Sequence, residues 1–442
     1  MESVGTTPLL DQWSIEFSAR PGVSSPAWLN DLKQDAAKQF VAAGLPSRKT
    51  EAWKYTPLRL LEKQAPTIRV TGGQLADAAE MPESVCSLCE GIVDIRNGAI
   101  FGPLPEMPAG ITLLPLAAAI EKFGDVLRKV LQSRDLSGST NVFSALNTAF
   151  LDQGLVVHAD ANVQAGSLLI RWMNTDEKAA QLDNFRLIVL LEPDAKFDIV
   201  EQYEDVTQSA STLNTVIQVE LAEGAELGHV RVQNGSEAGV LLTSTSVRQA
   251  ARSRYRYSGF DLAGGLVRHE LDSILEGEGA QAEFDGAFVL DRKRHVDNHI
   301  SVDHVAQNCS SSQFFRGVLG GSSRGVFNGR ALIRQGADGS SVRQSNANLL
   351  LSALAEMDTK PELEIYADEV EASHGATVGQ LDEAAVFYLR TRGLSEEQSR
   401  RILTMAFCHA VTDRLEDRAL AERISGMLDS AMPRNEPVAG VI

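Results

Sequence analysis

LVRHELDSILEGEGAQAEFDGAFVL, residues 266–290, is the stretch on which the fold turns. In its first half even alternation puts Val267, His269 and Leu271 on one face and Arg268, Glu270 and Asp272 on the other, the pattern of a half-buried strand. A short turn, GEGAQA, follows, and then a second apolar run. Similar turns recur as EPDAKF (192–197), AEGAEL (222–227) and QGADGS (335–340). Their alanines, Ala195, Ala225, Ala280 and Ala337, are 30, 55 and 57 residues apart. That spacing fits a unit of roughly 28 residues with two of its turns degenerate. A rung of that length buries its inward residues on the next rung, so no single run needs to be strongly hydrophobic.

Working outward, the same texture holds from about residue 155 over roughly 200 residues, in runs such as SLLIRWM, FRLIVLLE, TVIQVEL and RGVFNGRALIR. The expected class is mainly β, a parallel β-helix, with a β-sandwich as the alternative. Helical patterns flank it. Residues 26–43 predict a helix capped by Ser25 and stopped by Gly44, with Leu29, Leu32, Ala36 and Phe40 on one face. Thr56-Pro57 opens LRLLEK, and a further helix is expected over LAAAIEKFGDVLRKVL. After residue 380 the pattern predicts a helix capped by Asp382 and ended by Gly393. A capping box at Ser395–Gln398 then opens a second, with Ile402, Met405, Ala406, His409 and Leu415 as its apolar side. The last ten residues are expected to be a loose tail. The resulting division is an α-rich region over 1–150, the β core over 151–379 and a helical region over 380–442.

Composition excludes several classes. The formal net charge of −18 repels phosphate backbones and anionic headgroups, which argues against nucleic acid and membrane partners. No run approaches 18 uninterrupted apolar residues. Four cysteines in 442 residues, behind an opening MESVGTTPLL without a basic or apolar leader, predict a reducing, cytoplasmic compartment. No Gly-Lys pair occurs, so the chain has no P-loop.

Most candidate motifs have a plain structural reading. Gly321-Ser322-Ser323-Arg324-Gly325 matches a nucleophile elbow in letters only, since a strand rather than a helix follows it. Gly277-x-Gly279-x-x-Ala282 likewise leads into a strand and is expected to be a rung turn. Cys86-x-x-Cys89 lacks the second pair that a structural zinc requires and is expected to be an incidental pair in a loop, with Cys309 and Cys408 as small hydrophobes. His295, Asp297 and His299 fall on one strand face and His304 on the other, predicting a polar solenoid face rather than a metal site; His269 is expected to be a hydrogen-bonded core histidine. His374 stands apart. It follows Asp368, Glu369 and Glu371, which favour its protonated form or join it around a cation such as Fe(II); the competing reading is an imidazole capping a turn.

Three long strings then carry a resemblance. GLPSRKTEAWKYTPL (44–58), VFSALNTAFLDQGLVVH (142–158) and DTKPELEIYADEVEASHGATVGQLDEAAVFYLRTRGL (358–394) resemble signature segments of the SufB/SufD family of iron-sulfur cluster assembly proteins, nearest its SufD branch, with order and spacing covering nearly the whole chain. The resemblance implies a right-handed parallel β-helix core flanked by N-terminal and C-terminal helical domains. It implies a scaffold with no independent catalysis, SufB and the ABC-type ATPase SufC as partners or else a homodimer, and no stably bound cofactor. Transient iron or a nascent cluster would sit at the interface with SufB.

By the same resemblance His374 matches the histidine assigned to iron or cluster binding at that interface. Ala372 stands where related chains can carry a cysteine, so a sulfur ligand would come from SufB. The helices from Asp382 to Leu415 resemble the SufC-docking part, with Phe387, Tyr388, Arg390, Arg392 and Phe407 as candidate contacts. Trp53 and Tyr55 are expected to clip the N-terminal region onto the core. The rival enzyme class, a β-helix acting on acidic polysaccharide, conflicts with the acidic charge.

Overall fold

The computed structural model describes residues 7–20, 25–69, 83–86, 89–133, 141–175, 180–205 and 210–433. Its centre is a parallel β-solenoid. Successive strands alternate between two ten-stranded sheets, so each strand pairs with the strands one rung before and one rung after it. Lys196, Glu226, Arg254, Gln281, Ser310, Ser341 and Glu371 lie in register across one sheet, a step of about 29 residues that matches the sequence period. Among the described residues every strand pairing from residue 164 onward is parallel, the pairing of a solenoid and not of the alternative sandwich.

The corner turns explain the recurrent letters. Asp194, Gly224, Arg252, Gly279 and Asn308 all have positive φ, and each donates its N–H to a carbonyl in the turn of the following rung. Glycine and short polar residues are favoured there because a Cβ is costly in that conformation. The next residue begins the strand's approach and is buried: Ala195, Ala225, Ser253, Ala280 and Cys309 in turn. Ser340, following Gly339, continues this column, so Ala337 is buried three residues before the equivalent position and is not the repeat's alanine. Inside, Trp172, Phe197, Tyr255, Phe284, Phe288, Phe315 and Phe327 belong to one continuous core.

Strands Gly91–Arg96 and Ile111–Pro115 extend the two sheets from within the first 150 residues, the latter antiparallel to Gly154–Ala159. Helices Pro8–Ser18, Ala27–Ala43 and Val142–Ala149 pack together on the outer face of one sheet. Gly44 ends Ala27–Ala43 at φ 68°, as expected, but Ser25 does not cap it: its hydroxyl bonds Asn30 Oδ1 at 2.6 Å, and Pro26 occupies the cap position. The expected helix over 116–131 is present as Leu116–Gln132, with a kink at Phe123.

At the far end come Glu383–Thr391, capped by Asp382, and Glu396–Thr412, whose capping box is formed. A third helix, Arg418–Ala431, was not legible in the sequence. The middle helix buries Ser399, Thr404, Cys408 and Val411; of the expected side Ile402, Met405, Ala406, His409 and Leu415 only Leu415, just past the helix, is buried, and Ile402 is exposed. The buried face packs on the strands Gln281–Leu290 and Ser310–Leu319, where Cys408 and Val411 join Ala287, Val289 and Val318 in one cluster. The tail expected over the last ten residues lies, from residue 434 on, outside the described residues.

Candidate functional site

Both sheets stop at the C-terminal end of the solenoid with strands Glu356–Ile365 and Glu371–Gly379, and among the described residues no strand pairs with their outer edges. This end carries His374. Glu371–Gly379 is exposed throughout, while the strand beneath it is not: Val342, Gln344, Asn346 and Asn348 are buried and lie in register with Ala372, His374, Ala376 and Val378. In-register parallel strands hold paired side chains on one face, so His374 belongs to the inward column of a rung that nothing covers. Below it the interior turns polar, with Thr359 and Asn348 donating to Asn346 Oδ1 at 2.9 and 2.6 Å and Gln344 donating to the Gly329 carbonyl at 3.1 Å. Asp368, Glu369 and Glu371 do not close around the imidazole. Among the described residues no group of three or more His, Cys, Asp or Glu could hold a metal ion, so a metal at His374 would need donors from outside these residues. Leu354, Ile365, Tyr366 and Val378 are exposed around the same end.

The docking candidates separate into two groups. Phe387 and Tyr388 are 67% and 56% exposed, and Arg390 and Arg392 stand beside them, the first paired with Glu396 at 3.5 Å and the second donating to the Tyr388 hydroxyl at 3.2 Å. Phe407 instead packs inward beside Arg316. His409 bonds Asp429 at 2.9 Å, tying the second and third closing helices. Arg414 donates to Asp285 at 2.7 Å, fixing these helices to the solenoid wall; burial pushes the Asp285 carboxyl up to about 6 despite that guanidinium.

His295, His299 and His304 are structural. His295, Asp297 and His299 do share a face, as expected, but it is no open polar surface, because the string around Trp53 covers it. Arg268 stacks under Trp53 at 3.9 Å and pairs with Asp297; Thr56 bonds both Asp297 and His295, the latter at 3.0 Å; Arg324 lies 5.9 Å from the Tyr55 ring. Burial would raise the Asp297 carboxyl, but Arg268 and His299 hold it well below the usual carboxylate range. Burial pushes His295 down to about 4. Trp53 and Tyr55 therefore clip the N-terminal region to the core. His304 is buried against the Ser311 hydroxyl at 2.8 Å.

The sequence reading missed a second buried network inside the solenoid. Trp172 Nε1 and the Tyr203 hydroxyl donate to Glu201 at 3.0 and 2.8 Å, and His229 bridges Glu201 and Tyr255 at 2.8 Å on each side. Arg231 donates to Asp261 at 3.2 Å and touches His269, which also faces Asp261 at 3.0 Å and Thr243. Burial, with Arg231 alongside, lowers His269 to about 4. His269 is thus the hydrogen-bonded core histidine expected, but its partners come from three other strands, which spacing could not reveal. These charges are sealed from solvent and paired with one another, an arrangement that rigidifies the interior without exposing an acid or base.

No hydrolytic or nucleotide geometry appears at the two glycine motifs. Ser323 is buried with its hydroxyl donating to the Gly320 carbonyl at 2.7 Å, and Gly277–Ala282 is a corner turn into Gln281–Leu290. Cys309 and Cys408 are buried, Cys408 with its thiol pushed up to about 12 by burial. Cys86 and Cys89, expected to be incidental, are joined as a disulfide. No helix among the described residues is long and apolar enough to cross a membrane.

With this geometry in place, comparison with known proteins is direct. The SUF system FeS cluster assembly SufBD core domain matches residues 172–407, and the SufBD protein N-terminal region matches residues 22–169. The chain is 29% identical to an iron-sulfur cluster assembly SufBD family protein of Synechocystis over 90% of its length and 89% of the relative's. It is 26% identical to the iron-sulfur cluster assembly protein SufD of Escherichia coli, covering 96% and 97% of the two chains. To SufD of Bacillus subtilis it is 24% identical, covering 97% and 99%. The members of this family are generally non-catalytic assembly proteins. The chain belongs to the SufBD family of SUF-system iron-sulfur cluster assembly proteins.

Proposed function

We propose that this chain is the SufD-type scaffold subunit of a SUF assembly complex in the cytoplasm. In this reading its solenoid end faces a SufB-like partner, and its closing helices dock the ABC-type ATPase. Residues 1–150, 151–379 and 380–442 act as clip, scaffold and docking region, with the solenoid's first strands borrowed from the clip. His374 serves as a ligand for iron, or for a nascent cluster, passing between the two subunits.

The observation that carries this reading is the uncovered last rung: His374 tops the inward column over Gln344, and among the described residues it belongs to no group of three or more metal-ligating side chains. An imidazole with free coordination sites at an open strand edge is completed by a second solenoid end meeting it. Iron accepts such mixed donors, and with Ala372 two residues away sulfur donors fall to the partner. The exposed pair Phe387 and Tyr388, beside Arg390 and Arg392, provides an aromatic–cationic patch on a short helix. A docked ATPase closing on nucleotide would push on that patch as a rigid body.

A second reading, a homodimer handling iron through two copies of the same end, is favoured by the exposed Leu354, Ile365, Tyr366 and Val378 at that end, which suit a self-complementary contact. Anaerobic co-purification from the native cell, with bound iron and labile sulfide quantified, separates the two. The first reading expects a SufB-like chain and an ABC-type ATPase in the complex, and His374→Ala that assembles normally but yields less cluster. Unchanged cluster yield in that variant ends the role given to His374. Recovery of a two-copy species alone transfers the argument to the homodimer.

A further inference from the structure

The Cys86–Cys89 pair is built into the joint between the solenoid's first rung and its last helix. Cys86 is buried and Cys89 partly so, both packed in the cluster that holds Val85 against Leu420, Ala421, Ile424 and Leu428 of Arg418–Ala431. On the solenoid side, Val85 N–H donates to Gln202 Oε1 at 3.0 Å, Gln202 returns a bond to the Glu83 carbonyl at 2.9 Å, and Glu90 N–H donates to the Ser167 carbonyl at 2.9 Å. On the helix side, Arg423 pairs with Glu83 at 2.6 Å. Ser167 lies beside both sulfurs: its hydroxyl donates to Cys89 Sγ at 3.3 Å and is 3.8 Å from Cys86 Sγ.

We propose that Cys86 and Cys89 form a reversible dithiol–disulfide couple that exchanges with an external thiol at Cys89, and that closing it fastens this joint to the C-terminal helix. Three features carry the idea. The two cysteines are separated by only three positions, so the bond constrains the unfolded chain far less than a long-loop staple does, and a role in chain-wide stability is correspondingly small. Cys89 is the more exposed residue of the two, which makes its sulfur the preferred point of attack for an entering thiolate. A hydroxyl donor stands within reach of either sulfur as it becomes a thiolate.

The exchange balances as follows. An external thiolate attacks Cys89 Sγ; the Cys86–Cys89 bond breaks and its electron pair leaves on Cys86 Sγ, which Ser167 solvates before it takes a proton. A second external thiol, as thiolate, then displaces Cys89, which is protonated in turn. Two external thiols have become one disulfide, and the protein has gained two electrons and two protons. In a reducing compartment such a couple rests open and closes under oxidation.

The test is a redox titration of the full-length native protein in glutathione and, separately, dithiothreitol buffers, read by alkylation and mass shift. Cys86 and Cys89 should titrate together as one two-electron couple, while Cys309 and Cys408 stay unlabelled in the folded protein. A mixed disulfide trapped by the monothiol should map to Cys89. Ser167→Ala should slow exchange about tenfold, the worth of one charge-assisted hydrogen bond. Hydrogen exchange over Arg418–Ala431 should rise on reduction. Two freely alkylated thiols at every potential, a mixed disulfide at Cys86 instead, or wild-type exchange in Ser167→Ala would overturn the couple as drawn. Identical helix exchange in both redox forms would overturn the fastening.

Discussion

Replacing Arg268 with methionine tests the clip between the signature string and the solenoid. Arg268 is 2% exposed and serves three partners: the Asp297 carboxylate, Glu270 Oε1 at 2.6 Å and the Trp53 ring at 3.9 Å. Methionine keeps most of the stem's packing but leaves Asp297 buried without its cation. Removing one member of a buried pair costs about 3–5 kcal/mol, and losing the ring contact adds about 1 kcal/mol. The expected loss at pH 7 is therefore roughly 4–6 kcal/mol. The added variant Asp297→Asn should restore most of it, because the uncompensated charge is the larger part.

The pH dependence gives a sharper check. In the native protein Asp297 is held below its unfolded value, so its contribution is complete above that value and is lost as pH falls through the folded one. Without Arg268, burial pushes the Asp297 carboxyl upward against His299 and Thr56 alone, so the variant's penalty relative to the native protein grows as pH rises through the carboxylate range. The gap between the two proteins should thus narrow from pH 7 toward pH 4, at up to about 1.4 kcal/mol per unit. Urea unfolding followed by tryptophan fluorescence across that range measures it. A loss below about 1 kcal/mol at pH 7, or a gap that stays flat down to pH 4, would refute a buried, Arg-dependent Asp297.

Two further outcomes follow from the geometry. His269, His295 and His304 are each lowered to about 4 by burial, so at these sites the folded state binds fewer protons than the unfolded one between about 4 and 6.5, and their contribution to stability should fall as pH drops through that window. Asp285, raised to about 6, Glu220, raised to about 7, and Asp198 and Glu204, also raised by burial, pull the other way, so the histidines are read by difference: the urea midpoint of the native protein should fall relative to that of His304→Gln from pH 6.5 to 4.5, and identical pH profiles in the two would contradict the assignment. The paired change Phe387→Ser and Tyr388→Ser removes exposed rings, so thermal unfolding should move by no more than about 0.5 kcal/mol per site. Affinity for a SUF ATPase, measured by calorimetry, should weaken at least about tenfold; wild-type affinity would remove these two residues from the dock.

What the sequence determined by itself was whatever is written locally and repeated. The alternation of VRHELD, the rung period and the glycine-bearing corners specified a parallel solenoid, because each unit carries the same inward pattern and the same backbone demand at its turn. Caps at Asp382 and Ser395 were equally local, since the side chain bonds a backbone N–H within its own first turn. Long signature strings then supplied the family.

What depended on neighbours far along the chain was decided only in three dimensions. The true repeat position, Ser340 rather than Ala337, follows from registry with the next rung. The face that Glu396–Thr412 buries was set by packing on the solenoid wall and not by the apolar side expected from the sequence. Glu201, His229, Arg231, Asp261 and His269 arrive in one interior cluster from four strands, and Asp297 is buried where Thr56 returns across 239 residues to bond His295 and Trp53 covers Arg268. His374 shows both limits at once: its letters flagged it, but its place above a buried column, on a rung left uncovered, exists only after every earlier rung has stacked. A one-dimensional pattern encodes which face of a strand is wet or dry; which strand lies above it, and whether any does, is set by the assembled fold.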